Sequence, residues 1–158
     1  LVQRAAMLRP DLVRSWALSN AVIDPDYRGH RVARIWNTPV LGELFMAVSG
    51  PGKLMQSLIQ QGVPAAIARE EAVQWQNRDK RRAILTLYRS ANGLADLRGP
   101  DTLVWGEGDP YVAIGVAERA ADRHGVALQR ISGAGHWAIA ERPAEVAAAL
   151  KDFWAALD

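Results

Sequence analysis

Apolar positions recur at a helical spacing over most of the chain, and three short apolar runs without alternation interrupt them. From Leu1 to Leu8 the residues Leu1, Val2, Ala5, Ala6 and Leu8 fall on one helical face, and Arg9-Pro10-Asp11 stops the helix. The run Val13 to Leu18 follows, and Trp16, Ala17 and Leu18 stand together without alternation, as in a buried parallel strand. Helix, tight turn and buried strand in that order make half of a βαβ unit.

Between Ala21 and Asn92 the character changes, because Pro25, Pro39, Pro51 and Pro64 divide short amphipathic stretches and no strand pattern occurs. The spacing predicts helices over Arg28 to Asn37, Leu41 to Val48, Gly52 to Gln61, Pro64 to Gln74 and Lys80 to Ser90. After Arg98-Gly99-Pro100 the first character returns. Thr102-Leu103-Val104-Trp105, closed by Gly106, reads as a buried strand; Val112 to His124 as a helix stopped by Gly125; Val126 to Ile131 as a further strand. The loop Ser132-Gly133-Ala134-Gly135-His136 comes next, and Pro143 opens a last helix with Val146, Leu150, Phe153, Trp154 and Leu157 on one face. This order predicts the α/β class: a parallel sheet with flanking helices, and a helical insertion after the first strand.

Composition narrows the classes. With 158 residues, 49% of them apolar and 23% charged, the chain resembles soluble globular proteins and can bury a real core. A net charge of +2 is too small to imply a phosphate-binding surface. The densest basic run, Arg78-Asp79-Lys80-Arg81-Arg82, is interrupted by an acid and leads into Ala83-Ile84-Leu85, so it reads as a solvated helix face and no nucleic-acid partner is expected. The absence of cysteine excludes disulfides and thiolate metal sites, and the three histidines show no metal-ligand spacing. No apolar run approaches the roughly 18 residues of a membrane-spanning helix. No membrane partner is expected, and the expected location is the cytoplasm. Leu1-Val2-Gln3-Arg4 begins neither with methionine nor with a signal peptide, and opening inside a helical pattern predicts a piece of a longer chain.

Ligands of parallel sheets bind beyond the carboxyl ends of the strands, which directs attention to polar residues just after them. Asp109 follows one strand by way of Gly106-Glu107-Gly108, and His136 follows another by way of two glycines. If those strands are adjacent, the Asp109 carboxylate can accept the Nδ1 proton of His136, leaving Nε2 as a general base. Asp109 could instead only cap a helix or make an Asx turn before Pro110. Glu107 lies nearer the strand but is expected to face away. His30 and His124 lack partners at a useful spacing and read as structural. Gly133-Ala134-Gly135-His136-Trp137-Ala138 also fits G-x-G-x-x-A, yet too little chain follows for a dinucleotide-binding unit, so no cofactor is expected.

The segments Asp101-Thr102-Leu103-Val104-Trp105-Gly106-Glu107-Gly108-Asp109-Pro110-Tyr111, Gly133-Ala134-Gly135-His136-Trp137 and Glu141-Arg142-Pro143 resemble the acid and histidine segments of α/β-hydrolases. Residues 1 to 20, with Arg9-Pro10-Asp11-Leu12-Val13-Arg14-Ser15, resemble the helix and strand that follow the nucleophile elbow of that family. Trp36-Asn37-Thr38-Pro39-Val40-Leu41-Gly42-Glu43-Leu44 is similar to the cap of haloalkane dehalogenase-like members.

The resemblance implies the last three parallel strands of an α/β-hydrolase sheet, divided into core residues 1–20, a helical cap at 21–95 and a C-terminal core at 96–158. It implies a triad with acid Asp109, base His136 and a nucleophile a few positions before Leu1. Some relatives place the acid after the preceding strand, which makes Asp24 or Asp26 a rival. Trp36 and Trp137 are candidates to line the pocket of a small apolar substrate, though either could be core. The implied activity is hydrolysis of a small, mostly apolar ester-type substrate. Carbon–halogen or epoxide cleavage with an aspartate nucleophile is the alternative enzyme. A binding protein that has lost the nucleophile and a helical interaction module are the non-enzymatic readings. Oligomeric state stays open. Alone, these 158 residues are expected to be marginally stable and inactive.

Overall fold

A computed structural model describes residues 2–21, 27, 29–90 and 99–157. The chain forms two compact units, one of Leu1–Tyr27 with Gly93–Asp158 and the other of Arg28–Asn92.

The first unit holds helix α1 (Val2–Leu8), strand β1 (Ala17–Ser19), strand β2 (Thr102–Gly106), helix α7 (Ile114–His124), strand β3 (Ala127–Ile131), and helices α8 (Ala138–Glu141) and α9 (Pro143–Ala155). The strands form one parallel sheet in the order β1-β2-β3, with Ala17 opposite Thr102 and Gly106 opposite Ile131. All five residues of β2 are buried, as an unbroken apolar run between two neighbours requires. Side chains alternate across the pleat. Leu103 and Trp105 therefore join Val112, Val116, Ala117 and Ala120 in one core, while Val104 joins Ile131, Ala134, Ala138 and Val146 in another. Helix α7 ends where Gly125 takes a left-handed conformation, φ 64°, and its N–H returns to the Ala121 carbonyl. A side chain at Gly99 would collide with the His124 ring, which gives that histidine a packing role.

Two expectations need correction here, and one short helix is added. Strand β1 is shorter than Val13 to Leu18, because Trp16 N–H donates to Asp101 Oδ2 at 2.9 Å and the Asp101 N–H to the Trp16 carbonyl at 2.9 Å, so the ladder starts only at Ala17. Helix α1 buries Gln3 and Ala6 and leaves Val2, Met7 and Leu8 exposed, so its apolar stripe is not its covered face. Helix α8 lies between the expected loop of Ser132 to His136 and Pro143, where the pattern predicts no element.

Every described element of the second unit is helical: α2 (Arg31–Asn37), α3 (Leu41–Val48), α4 (Pro51–Gln60), α5 (Ala65–Trp75) and α6 (Arg78–Ser90). Helix α2 begins at Arg31 because His30 Nδ1 accepts the Ala33 N–H and caps it. Met46, Trp75 and Leu85 form the unit's main buried cluster, with Trp36, Leu54 and Ile84 packed against it. Arg89 grips Glu43 through two parallel bonds, Nη1 to Oε1 at 2.7 Å and Nη2 to Oε2 at 2.9 Å, and this holds the Glu43 carboxyl down at about 2. The rival acids Asp24 and Asp26, and the expected boundary at 95–96, lie outside the described residues. Among the described residues no helix is long and apolar enough to cross a membrane.

Candidate active site

The parallel register carries the loops after β2 and β3 to the same edge of the sheet. Two backbone bonds join them, Glu107 N–H to the Ile131 carbonyl at 3.2 Å and Gly108 N–H to the Ala134 carbonyl at 2.9 Å. Gly106 is essential to this approach: a Cβ there would run into the Gly135 carbonyl oxygen. Gly133 turns the second loop at φ 69°, in the left-handed region that suits glycine.

The joined loops bring Asp109 and His136 together, with Oδ2 2.8 Å from Nδ1. An ionised carboxylate only accepts hydrogen bonds, so Nδ1 carries a proton, and in the neutral imidazole the lone pair is then on Nε2. Asp109 is 5% exposed and its two oxygens are fully occupied. Oδ1 accepts the N–H groups of Tyr111 at 2.7 Å and Val112 at 2.9 Å, and Oδ2 accepts Asn20 Nδ2 at 2.8 Å as well as the imidazole. Burial pushes this carboxyl up, but the bonds from His136, Val112, Asn20 and Tyr111 outweigh it and hold it below the ordinary aspartate value. The Asx turn considered as an alternative for Asp109 is thus present on one oxygen, while the other faces the histidine.

The His136 side chain keeps 24% of its surface exposed. Tyr111 and Trp137 flank it edge-on, with ring centroids 4.9 Å and 5.4 Å away. Burial and the nearby Asp109 charge raise the Tyr111 hydroxyl above its usual value. The histidine loop has a second fastening. Glu141, at the end of α8, accepts Gly135 N–H on Oε2 at 2.8 Å and Trp137 N–H on Oε1 at 3.0 Å, so one carboxylate holds the backbone on both sides of His136.

Of the four residues singled out in the sequence, the structure gathers Asp109, His136 and Trp137. Trp137 is 41% exposed beside the imidazole. Trp36 belongs to the helical unit, where it packs edge-on against Phe45 and Tyr88, and its buried indole N–H has no acceptor among the described residues. Glu107 sits 3.9 Å from Arg130, away from the imidazole. Asn20 and Glu141 were not foreseen as site residues. For Asn20 a signal existed, since it directly follows a strand, as Asp109 and His136 nearly do. Among the described residues no group of three or more His, Cys, Asp or Glu could hold a metal ion.

No protein-family model matches the chain, and no curated protein does. Solved structures do. The 2-hydroxy-6-oxo-6-phenylhexa-2,4-dienoate hydrolase BphD of Rhodococcus sp. strain RHA1 superposes with a TM-score of 0.67 at 18% identity, over 97% of this chain and 59% of that one. A protein that carries the name non-heme bromoperoxidase BpoC, from Mycobacterium tuberculosis H37Rv, gives 0.60 at 18%, over 99% and 63%. E-2-(acetamidomethylene)succinate hydrolase gives 0.55 at 18%, over 96% and 61%. The fold is that of the C-terminal part of an α/β-hydrolase: three parallel strands of the sheet with their flanking helices. The chain spans about three fifths of the length of each of these structures.

Proposed function

We propose that this chain supplies the acid and the base of an α/β-hydrolase, Asp109 and His136, and that the nucleophile comes from a segment preceding Leu1. The carrying observation is the 2.8 Å bond between a buried, fully coordinated carboxylate and Nδ1 of a partly exposed histidine at the rim of a parallel sheet. Nε2 of His136 would take a proton from a serine hydroxyl, or from the water that attacks an aspartyl ester. Asp109 would fix the tautomer and stabilise the imidazolium. The exposed Trp137 beside it supports an apolar substrate contact; the packing of Trp36 supports a place in the core of its own unit. A small apolar ester-type compound is the substrate class we favour, with a haloalkane or epoxide as the alternative.

The test is turnover of p-nitrophenyl butyrate by the complete gene product. Asp109→Asn should lower kcat by about 10⁴-fold and His136→Ala by about 10⁶-fold, the orders seen when a triad loses its acid or its base. Mass spectrometry then separates the chemistries, since labelling of the wild-type protein by a fluorophosphonate marks a serine nucleophile, and a stable alkyl adduct on His136→Ala after haloalkane treatment marks an aspartate. A complete protein that binds such compounds without turning any of them over would instead be a binding protein of this fold.

A further inference from the structure

We infer that Asn20 is a positioning residue of the acid–base pair, acting through Asp109; the inference rests on the hydrolase reading above and deepens it. Asn20 directly follows β1 and is 5% exposed. Its side chain ties the end of the first strand to the end of β2 and the loop after it, 86 and 89 residues away in sequence. Oδ1 accepts the Gly106 N–H at 3.1 Å, at the end of β2, and lies 3.1 Å from the Ser19 hydroxyl. Nδ2 donates to Asp109 Oδ2 at 2.8 Å.

The orientation of that amide follows from its partners. A backbone N–H can only donate, so the atom facing Gly106 must be the oxygen, and the NH₂ group must then face Asp109. A carboxylate can only accept, so both ends agree. Asn20 also holds φ at 46°, in the left-handed region that asparagine tolerates better than most residues. A buried side chain with both ends satisfied, on a backbone turned to aim it, is a costly arrangement for a residue that does nothing but follow a strand.

Its effect on the chemistry is geometric. Oδ1 of Asp109 is fixed by two backbone donors on its own loop, which sets the carboxylate's hinge but leaves its outer oxygen free to swing. Oδ2 must point at Nδ1 for His136 to keep the productive tautomer. Asn20 supplies the second donor at that oxygen, from a different strand, and so fixes the direction in which the remaining lone pair meets the imidazole.

The clean variant is Asn20→Gly, which removes the amide while glycine accepts the positive φ without strain. In the complete gene product, with p-nitrophenyl butyrate as probe, it should lower kcat by roughly ten- to a hundredfold and leave KM within about threefold, less than loss of Asp109 itself. The His136 Nδ1 proton, seen at low field in nitrogen-labelled protein, should broaden or shift, and thermal unfolding should still show one cooperative transition. An unchanged kcat together with an unmoved Nδ1 proton overturns the inference. If Asp109→Asn abolishes turnover but Asn20→Gly leaves it intact, the hydrolase reading stands and this one falls. If the wild-type protein turns over nothing but Asn20→Gly still displaces the Nδ1 proton, Asn20 positions the pair and the hydrolase reading falls. Should Asn20→Gly not fold, the unmutated protein decides, because Nδ2 protons tied to Asp109 exchange slowly with water, and exchange as fast as that of an exposed asparagine overturns the inference.

Discussion

The hydrogen bonds at the rim of the sheet converge on one carboxylate. Asp109 receives four hydrogen bonds, two from backbone and two from side chains, and they outweigh the cost of burying its charge. Its lowered folded-state pKa has a definite consequence for stability. A carboxyl held below its unfolded value binds protons more weakly in the native state, so the stabilisation is complete above the unfolded pKa, near 3.9, and is lost as pH falls through the folded one. Wild-type protein should therefore lose unfolding free energy between pH 5 and the strongly acidic range, and Asp109→Asn should lose less over the same interval. Urea titrations at several pH values measure this, and equal losses in the two proteins would show that Asp109 gains nothing from its donors. Asp109 and His136 were legible in the sequence because each follows a strand within a short glycine loop. Asn20 also follows a strand, but no glycine loop marks it and its partners Gly106 and Asp109 lie 86 and 89 residues away, so that signal alone did not single it out. Glu141 stood within a recognised segment, but a carboxylate that grips backbone N–H groups leaves no periodic trace.

Elements were read best where one local signal was strong. The left-handed Gly125 ends α7 where it should, and Pro143 opens α9 as the first helical residue. They were read least well where partners decide, as in α1, whose covered residues Gln3 and Ala6 are set by what it packs against, and in the four-residue α8, too short to show a period. One connection carries strain. Between α2 and α3, Val40 holds φ 70° and ψ −50° while the Leu41 N–H bonds to the Pro39 carbonyl at 2.9 Å, a tight three-residue turn that a β-branched residue adopts at a cost. The exposed Val40 side chain contributes little in return, and its N–H is held by Glu43 Oε2 at 2.8 Å. Val40→Gly should thus stabilise the helical unit by about 1 kcal/mol, the relief of strain exceeding the entropy that glycine adds to the unfolded chain. A thermal midpoint raised by a few degrees is the expected result; a lowered midpoint would mean that the valine packs usefully after all.

Across the molecule, the fold class was legible because the strand and helix order admits few arrangements. The α/β pattern of the flanks, the all-helical stretch between them and the rule of adjacent parallel strands together suffice. The sheet that results has only three strands among the described residues, and β1 has a single neighbour. Its free edge, together with the exposed Val2, Leu8 and Leu12 of the same unit, offers backbone and apolar surface to another chain. The 158 residues expressed by themselves should accordingly self-associate and show no esterase activity. Light scattering after size exclusion tests the first point, and a monodisperse monomer at high concentration would contradict it.

The contact at Gly106 reaches beyond this one sequence. Because the residue has no room for even a methyl group, the loops that carry Asp109 and His136 cannot drift independently in evolution. A lineage that replaces this glycine must rebuild the segment around Gly135 in the same step, or forfeit the pairing of Asp109 with His136. Sequences of relatives should show the two positions changing together or not at all.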